Sequence, residues 1–270
     1  MKKIIYDFGA SDGKNIPYYL LKSDLIVAVE ANPKSCEIIK KKFYKEICDG
    51  RLIVENCVVT DQNNNNSEFF LHKTNDLLGQ FPKPNNYLIN NFTKIDLKSS
   101  DVIYLLQKYG KPYYIKIDLE EYDNIILKII FNNGILPNYI SAEAINTDVI
   151  NLFLTHKNYN AFKLIEGDSI GFLYRNTKIN TVNKKTKYSF DKDSAGPFGN
   201  DINGKWIKKE NFMKLIEYKG PGWRDIHASL FDEYENDNNF GKYIQIEQKL
   251  KKKAKFIKRF LRIKSKLNFF

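Results

Sequence analysis

The chain is poor in the residues that mark several functional classes. Its three cysteines, Cys36, Cys48 and Cys57, stand without the spacing of a zinc site or a disulfide framework. That argues against a disulfide-stapled secreted scaffold and fits a reduced, cytoplasmic protein. No run of about eighteen apolar residues occurs, so no transmembrane helix is expected. Met1-Lys2-Lys3 leads straight into an apolar strand, so no signal peptide is expected either. Histidine is scarce: His72 and His156 read as surface or helix-end residues, which leaves His227 as the one imidazole of chemical interest. Acid is missing from one place in particular. Residues 249–270 carry ten Lys or Arg and no Asp or Glu, which leaves 33 basic against 32 acidic residues elsewhere. The net charge of +11 therefore belongs to a tail, and the body is nearly neutral.

What is present begins at Ile4–Gly13. Ile4, Ile5, Tyr6 and Phe8 form a short apolar run that reads as a buried parallel strand. Gly9 and Gly13 follow, then a helical pattern at Ile16, Tyr19 and Leu20. Strand, glycine turn and helix in that order open the nucleotide site of a doubly wound sheet. A second strand, Leu25 to Val29, ends in Glu30, placed to accept hydrogen bonds from both ribose hydroxyls. Asp7 and Asp12 sit in the turn, and G-x-G-x-x-G is absent. Two carboxylates there repel a diphosphate and suit the ammonium and sulfonium of S-adenosylmethionine.

Further strands are expected at Leu52–Val59, Glu68–His72, Thr93–Leu97, Tyr113–Asp118 and Tyr139–Glu143. An antiparallel hairpin over Tyr159–Ile165 and Ser169–Tyr174 is expected to close the sheet. Residues 73–91 are rich in Asn, Pro and Gly and long for a connection, which marks a functional loop. The expected fold is α/β: a Rossmann-like, mostly parallel sheet of seven strands, with a C-terminal cap and a basic helical tail. The expected division is a nucleotide-binding domain at 1–175, a cap at 176–246 and a tail at 247–270. Ligands in such sheets bind beyond the carboxyl ends of the strands, where Glu30, Asp118 and Glu143 converge.

The runs Asp7-Phe8-Gly9-Ala10-Ser11-Asp12-Gly13, Val29-Glu30-Ala31-Asn32-Pro33 and Lys116-Ile117-Asp118-Leu119-Glu120 resemble the FkbM-type methyltransferases, a branch of the class I S-adenosylmethionine-dependent fold. Asn56 with Asp61 and the run Pro137–Glu143 extend the resemblance over roughly residues 3–175. The family usually has glycine after the Lys-x-Asp-x-Glu run, where this chain has Glu121. The resemblance implies O-methylation, often of a sugar in a glycan. It implies that Asp7, Gly9 and Gly13, with Ala10 and Ser11, line the methionine end. Glu30 and Ala31 then serve the ribose, Asn56 the adenine side, and Asp118 lies between donor and acceptor.

Methyl transfer to a hydroxyl needs in-line positioning and a base. The candidate catalytic residues are Asp118, His227 and Glu120, with His227 expected to reach the site from the cap. Asp118 and Glu143 are candidate ligands for Mg²⁺, being hard oxygen donors. In the cap, Trp223, Arg224 and Asp225 are candidates for binding the sugar. Trp206, Tyr188, Phe190 and Phe198 read either as a satellite core or as stacking surfaces for sugar rings. The tail repeats Phe256, Phe260, Ile263, Leu267 and Phe270 at helical spacing among its cations. That pattern fits an anionic membrane surface better than nucleic acid. A nicotinamide-dependent oxidoreductase and a noncatalytic, membrane-associated partner of a glycosyltransferase are the rival readings.

Overall fold

The computed structural model describes residues 2–63, 65–75, 78–182 and 184–231, and in the tail only Lys249, Lys252, Lys253 and Phe256. Those four are helical and exposed, and the rest of the expected amphipathic tail lies outside the described residues. The chain order is β1 (Ile4–Phe8), α1 (Ile16–Leu20), β2 (Leu25–Glu30), α2 (Pro33–Lys42), α3 (Tyr44–Cys48), β3 (Leu52–Asn56) and β4 (Val58–Thr60). It continues through β5 (Asn66–His72), β6 (Phe92–Asp101), α4 (Val102–Tyr109), β7 (Pro112–Ile117), α5 (Asp123–Asn132), β8 (Tyr139–Glu143) and α6 (Thr147–Thr155). Then come β9 (Ala161–Glu166), α7 (Ile170–Leu173), β10 (Thr177–Asn180), β11 (Lys185–Tyr188), β12 (Ile207–Lys208), α8 (Lys209–Lys219) and β13 (Arg224–Ser229).

The central sheet runs β12-β9-β13-β8-β7-β1-β2-β3. β3, β2, β1, β7 and β8 are mutually parallel, as their short apolar runs require when both faces are covered. Every residue of β1 is buried. Chain order reverses between β1 and β7, which makes the carboxyl ends of those strands the switch point of a doubly wound α/β sheet. On one face α4, α5, α6 and α8 cover Tyr6, Phe8, Val27 and Ile115. On the other, α1 and α2 pack with Phe190, Phe198 and Trp206 over Ile5, Ile26 and Tyr114.

Two expectations about the closing hairpin fail. The residues after β9 form a tight turn over Gly167–Ser169 and a short helix, α7, whose backbone bonds are internal, with the Tyr174 N–H donating to the Ile170 carbonyl. The antiparallel strand is β13, which inserts between β8 and β9 and bonds to both. The division at residue 175 thus does not separate sheet from cap, since β12 and β13 come from beyond it. The strand expected over Leu52–Val59 breaks into β3 and β4, and β4 leaves the central sheet to pair with β6. The aromatics Phe190, Phe198 and Trp206 are core: Phe198 stacks on Tyr114 at 4.0 Å and an interplanar angle of 11°.

Candidate functional site

The strand ends at the switch point open into a cavity of about 500 Å³. Its floor is the turn after β1. Gly9 has φ +82°, and a Cβ there would lie 1.8 Å from the Asp118 carbonyl oxygen, so the turn closes only with glycine. Gly9, Ala10 and Ser11 line the cavity from this turn, and Glu30 and Ala31 line it from the end of β2. The Glu30 carboxylate accepts hydrogen bonds from the backbone N–H of Ser11 and of Asn32, both at 2.7 Å. That fixes its direction while leaving each oxygen a second lone pair for a ligand hydroxyl. Burial raises the pKa of Glu30, against the lowering effect of those two bonds.

Lys116 is the hub beneath the turn. It is buried, donates to the Gly9 carbonyl at 2.9 Å, and lies 3.3 Å from Asp7 and 3.0 Å from Asp118. Burial works against its charge, but Asp118 and Asp7 outweigh that and its pKa is raised. Asp7 is wholly buried, and burial raises its pKa more than Lys116 lowers it.

Several expected site residues do other work. Asp7 does not reach the cavity, because its side chain points into the second face toward Lys116. Gly13 serves close packing: a Cβ would meet Ile16 at 2.9 Å and Ile39 and Phe43 at 3.1 Å. Asn56 donates both amide hydrogens to the Glu30 and Ala31 carbonyls at 2.9 Å, which ties down the end of β2. Beside it, Cys57, Val58, Val59 and Phe69 form an apolar wall of the cavity.

His227 is not a base in this arrangement. It sits in mid-strand of β13, facing Ser141 and Lys163 across the sheet, buried, and outside the cavity lining. Neither ring nitrogen has a hydrogen-bond partner among the described residues. Burial, then Lys163, push its pKa down to about 3. Arg224 turns away as well, donating to the Lys219 and Gly220 carbonyls and lying 3.3 Å from Glu166. Asp201 is taken up by Tyr18, Lys22 and Asn180.

The remaining candidates converge. Asp118, Glu120, Glu143, Trp223 and Asp225 all line the cavity. Glu120 stands at φ +57°, a left-handed conformation unusual for a residue with a Cβ. Burial, then Asp118, raise its pKa to about 7. The same causes raise Asp225 to about 7 and Glu143 to about 9. Among the described residues, no group of three or more His, Cys, Asp or Glu side chains is arranged to hold a metal ion. The expected Mg²⁺ ligands Asp118 and Glu143 belong to no such group, and Lys116 already pairs with one oxygen of Asp118.

Residues not anticipated at the site include Lys116, Lys14, Asp193 to Ala195, and the pair Phe81 and Tyr122. The rings of that pair meet edge to face at 4.8 Å. Phe81, with Asn75, Leu78 and Gly79, brings the long 73–91 connection onto the crevice. A lysine inside the apolar run Tyr113–Ile117 was the one readable sign of the Lys116 hub.

The fold and crevice together define a doubly wound α/β protein with an acid-lined ligand cleft at its switch point. No family model matches the chain, and no curated protein matches it. Among solved structures it is similar to a methyltransferase FkbM from Methylobacillus flagellatus KT, at 14% identity and a TM-score of 0.40, over 61% of this chain and 40% of that one. It is also similar to a precorrin-6y C5,15-methyltransferase from Geobacter metallireducens GS-15, at 10% identity and a TM-score of 0.38, over 84% of this chain and 79% of that one. A third is the tRNA (m1A58) methyltransferase TrmI from Aquifex aeolicus, at 9% identity and a TM-score of 0.37, over 84% of this chain and 62% of that one. The chain thus spans well under two thirds of the length of the first of these.

Proposed function

We propose that the protein is an S-adenosylmethionine-dependent methyltransferase that methylates a hydroxyl, with a sugar as acceptor. The charge of the cleft carries this reading. Asp12, Glu30, Asp118, Glu120, Glu143, Asp193 and Asp225 line it, against Lys14 and Lys116. Both lysines are already paired, Lys14 with Asp193 at 3.2 Å and Lys116 with Asp7 and Asp118. Such a lining leaves a diphosphate no free cation to pair with, which disfavours a nicotinamide dinucleotide, and its carboxyls ionise readily against a ligand bearing a sulfonium and an ammonium.

When bound, the donor supplies a methyl group activated on its sulfonium. The turn Gly9–Ser11 and Asp118 hold the methionine end. Glu30 accepts from the ribose hydroxyls in the direction that Ser11 and Asn32 impose. Ala31 with Cys57, Val58 and Val59 offers the apolar slot for the adenine. Glu120, in the lining of the cleft, would take the proton of the acceptor hydroxyl. Its pKa near 7 suits a base working at neutral pH. Trp223, 61% exposed at the mouth, offers an indole face to a sugar ring.

Isothermal calorimetry with S-adenosylmethionine, S-adenosylhomocysteine and NAD tests the donor, and binding of NAD alone overturns the reading. For the tail we keep the proposal made from its sequence, a peripheral hold on an anionic membrane surface. Liposome flotation with and without residues 249–270 decides it, and equal flotation removes it. Among the described residues, no helix is long and apolar enough to cross a membrane.

A further inference from the structure

We infer that the acceptor presents a protonated amine to Glu143 and Asp225, beside the hydroxyl that receives the methyl group. The inference rests on the methyltransferase reading and narrows its acceptor from sugars in general to amino sugars.

Glu143 ends β8, and Asp225 stands directly opposite it on the antiparallel β13. Like charges facing each other across a sheet destabilise it. The fold gains nothing from this pair, and both members line the cavity. Glu143 is 8% exposed, and among the described residues its carboxylate has neither a hydrogen bond nor an ion pair. A carboxylate desolvated to that degree calls for a cation.

The chain's own cations are engaged elsewhere. Lys116 holds Asp7, Asp118 and the Gly9 carbonyl. Lys14 lies across the cleft against Asp193. The Arg224 guanidinium, next to Asp225 in sequence, bonds two backbone carbonyls on the far side of its strand. His227, two residues on, is buried away from the cleft. Burial and the neighbouring Asp118 raise both carboxyls, Glu143 to about 9 and Asp225 to about 7, as expected of acids short of a counter-charge.

The donor's charges do not account for the pair. Its methionine end belongs to the turn after β1 and to Asp118 at the end of β7, whereas β8 and β13 stand one and two strands beyond Asp118. At about 4.8 Å per strand, that is roughly 5–10 Å beyond Asp118, on the acceptor's side of the cleft. Trp223 completes that side. A Cβ on Gly167 would come within 2.5 Å of the indole Cε2, so Gly167 lets the ring lie against the backbone and face the opening. Two carboxylates beside an aromatic face are a setting for an ammonium on a sugar ring.

The test titrates the full-length protein, saturated with S-adenosylhomocysteine, with glucosamine and with N-acetylglucosamine at pH 7. Glucosamine is expected to bind about tenfold more tightly, the effect of one well-placed charge pair. In Glu143→Gln and in Asp225→Asn the ratio is expected to fall to about two or less. Each variant keeps the shape of a carboxyl whose neutral form burial already favours, so folding is not at risk, and retained S-adenosylhomocysteine affinity verifies it. Equal affinities in the unaltered protein, or no binding of either sugar, overturn the amine while the donor reading stands. Failure of S-adenosylhomocysteine to bind overturns the methyltransferase reading and the acceptor inference with it.

Discussion

Lys116→Met is the most incisive perturbation of the centre. The substitution keeps the length and apolar stem of the side chain and deletes one buried charge. Asp7, fully buried, then has no cation, and the Gly9 carbonyl loses its donor. Breaking a buried ion pair by removing one partner costs about 3–5 kcal/mol, because the surviving charge is left in a poorly solvated place. For a chain of this size that corresponds to a drop of roughly 6–20 °C in Tm.

The pH dependence has a definite sign. Burial already raises the pKa of Asp7, and Lys116 is the main force opposing the rise. Without Lys116 the folded-state pKa climbs further above the unfolded value. A carboxyl with a raised folded pKa contributes stability at low pH that is lost as pH rises through that pKa. The deficit of Lys116→Met should therefore be largest near pH 8 and shrink toward pH 5. Urea unfolding at both values measures it. Adding Asp7→Asn removes the stranded charge and should restore most of the loss at pH 8. A deficit under about 1 kcal/mol, or one equal at both pH values, refutes the account of Lys116 as the counter-charge of Asp7.

Three further outcomes follow from the cleft. Glu143 is raised from an ordinary value of 4.5 to about 9, so its contribution to stability is present at low pH and is lost as pH rises toward 9; Glu143→Gln should flatten that part of a Tm–pH curve and raise Tm at pH 9. Gly9→Ala places a methyl group 1.8 Å from the Asp118 carbonyl in a left-handed turn, so it should abolish S-adenosylhomocysteine binding in calorimetry, with loss of cooperative unfolding if the strand ends are pushed apart. Glu120→Gly relieves a left-handed Cβ and should stabilise the protein by about 1–2 kcal/mol in urea while lowering kcat at least tenfold; retention of full turnover would remove Glu120 as the base.

The parallel half of the sheet was legible because its determinants are local. Ile4–Phe8 and Tyr113–Ile117 are short apolar runs that can be buried on both faces, and glycine at position 9 announces the turn. Glu30 was placed by its distance from that turn. The antiparallel half was not legible. Arg224–Ser229 follows Gly220-Pro221-Gly222, which reads as a loop, and its strand character comes from β8 and β9, more than 50 residues away in sequence. With that strand missed, His227 looked like a free loop imidazole. Position along β13 instead puts Asp225 at the strand end beside the cleft and His227, two residues further on the same face, deep in the sheet.

The sheet therefore carries a row that a sequence scan cannot assemble. Asp7, Lys116, Ser141, His227 and Lys163 lie side by side across five strands on one face, all buried. Lys163 donates to the Ile202 carbonyl, Ser141 meets the Tyr114 hydroxyl and Lys116 pairs with Asp7, while the His227 nitrogens have no hydrogen-bond partner among the described residues. At the strand ends Asp118, Glu143 and Asp225 follow, and there the chain supplies one engaged ammonium for three carboxylates. Charge is paired within the row at Asp7 and Lys116, and carboxylates are in excess at its edge. Such imbalances gather where a ligand resolves them. The acids at the edge mark the cleft, and the buried row below them holds the strands that carry it.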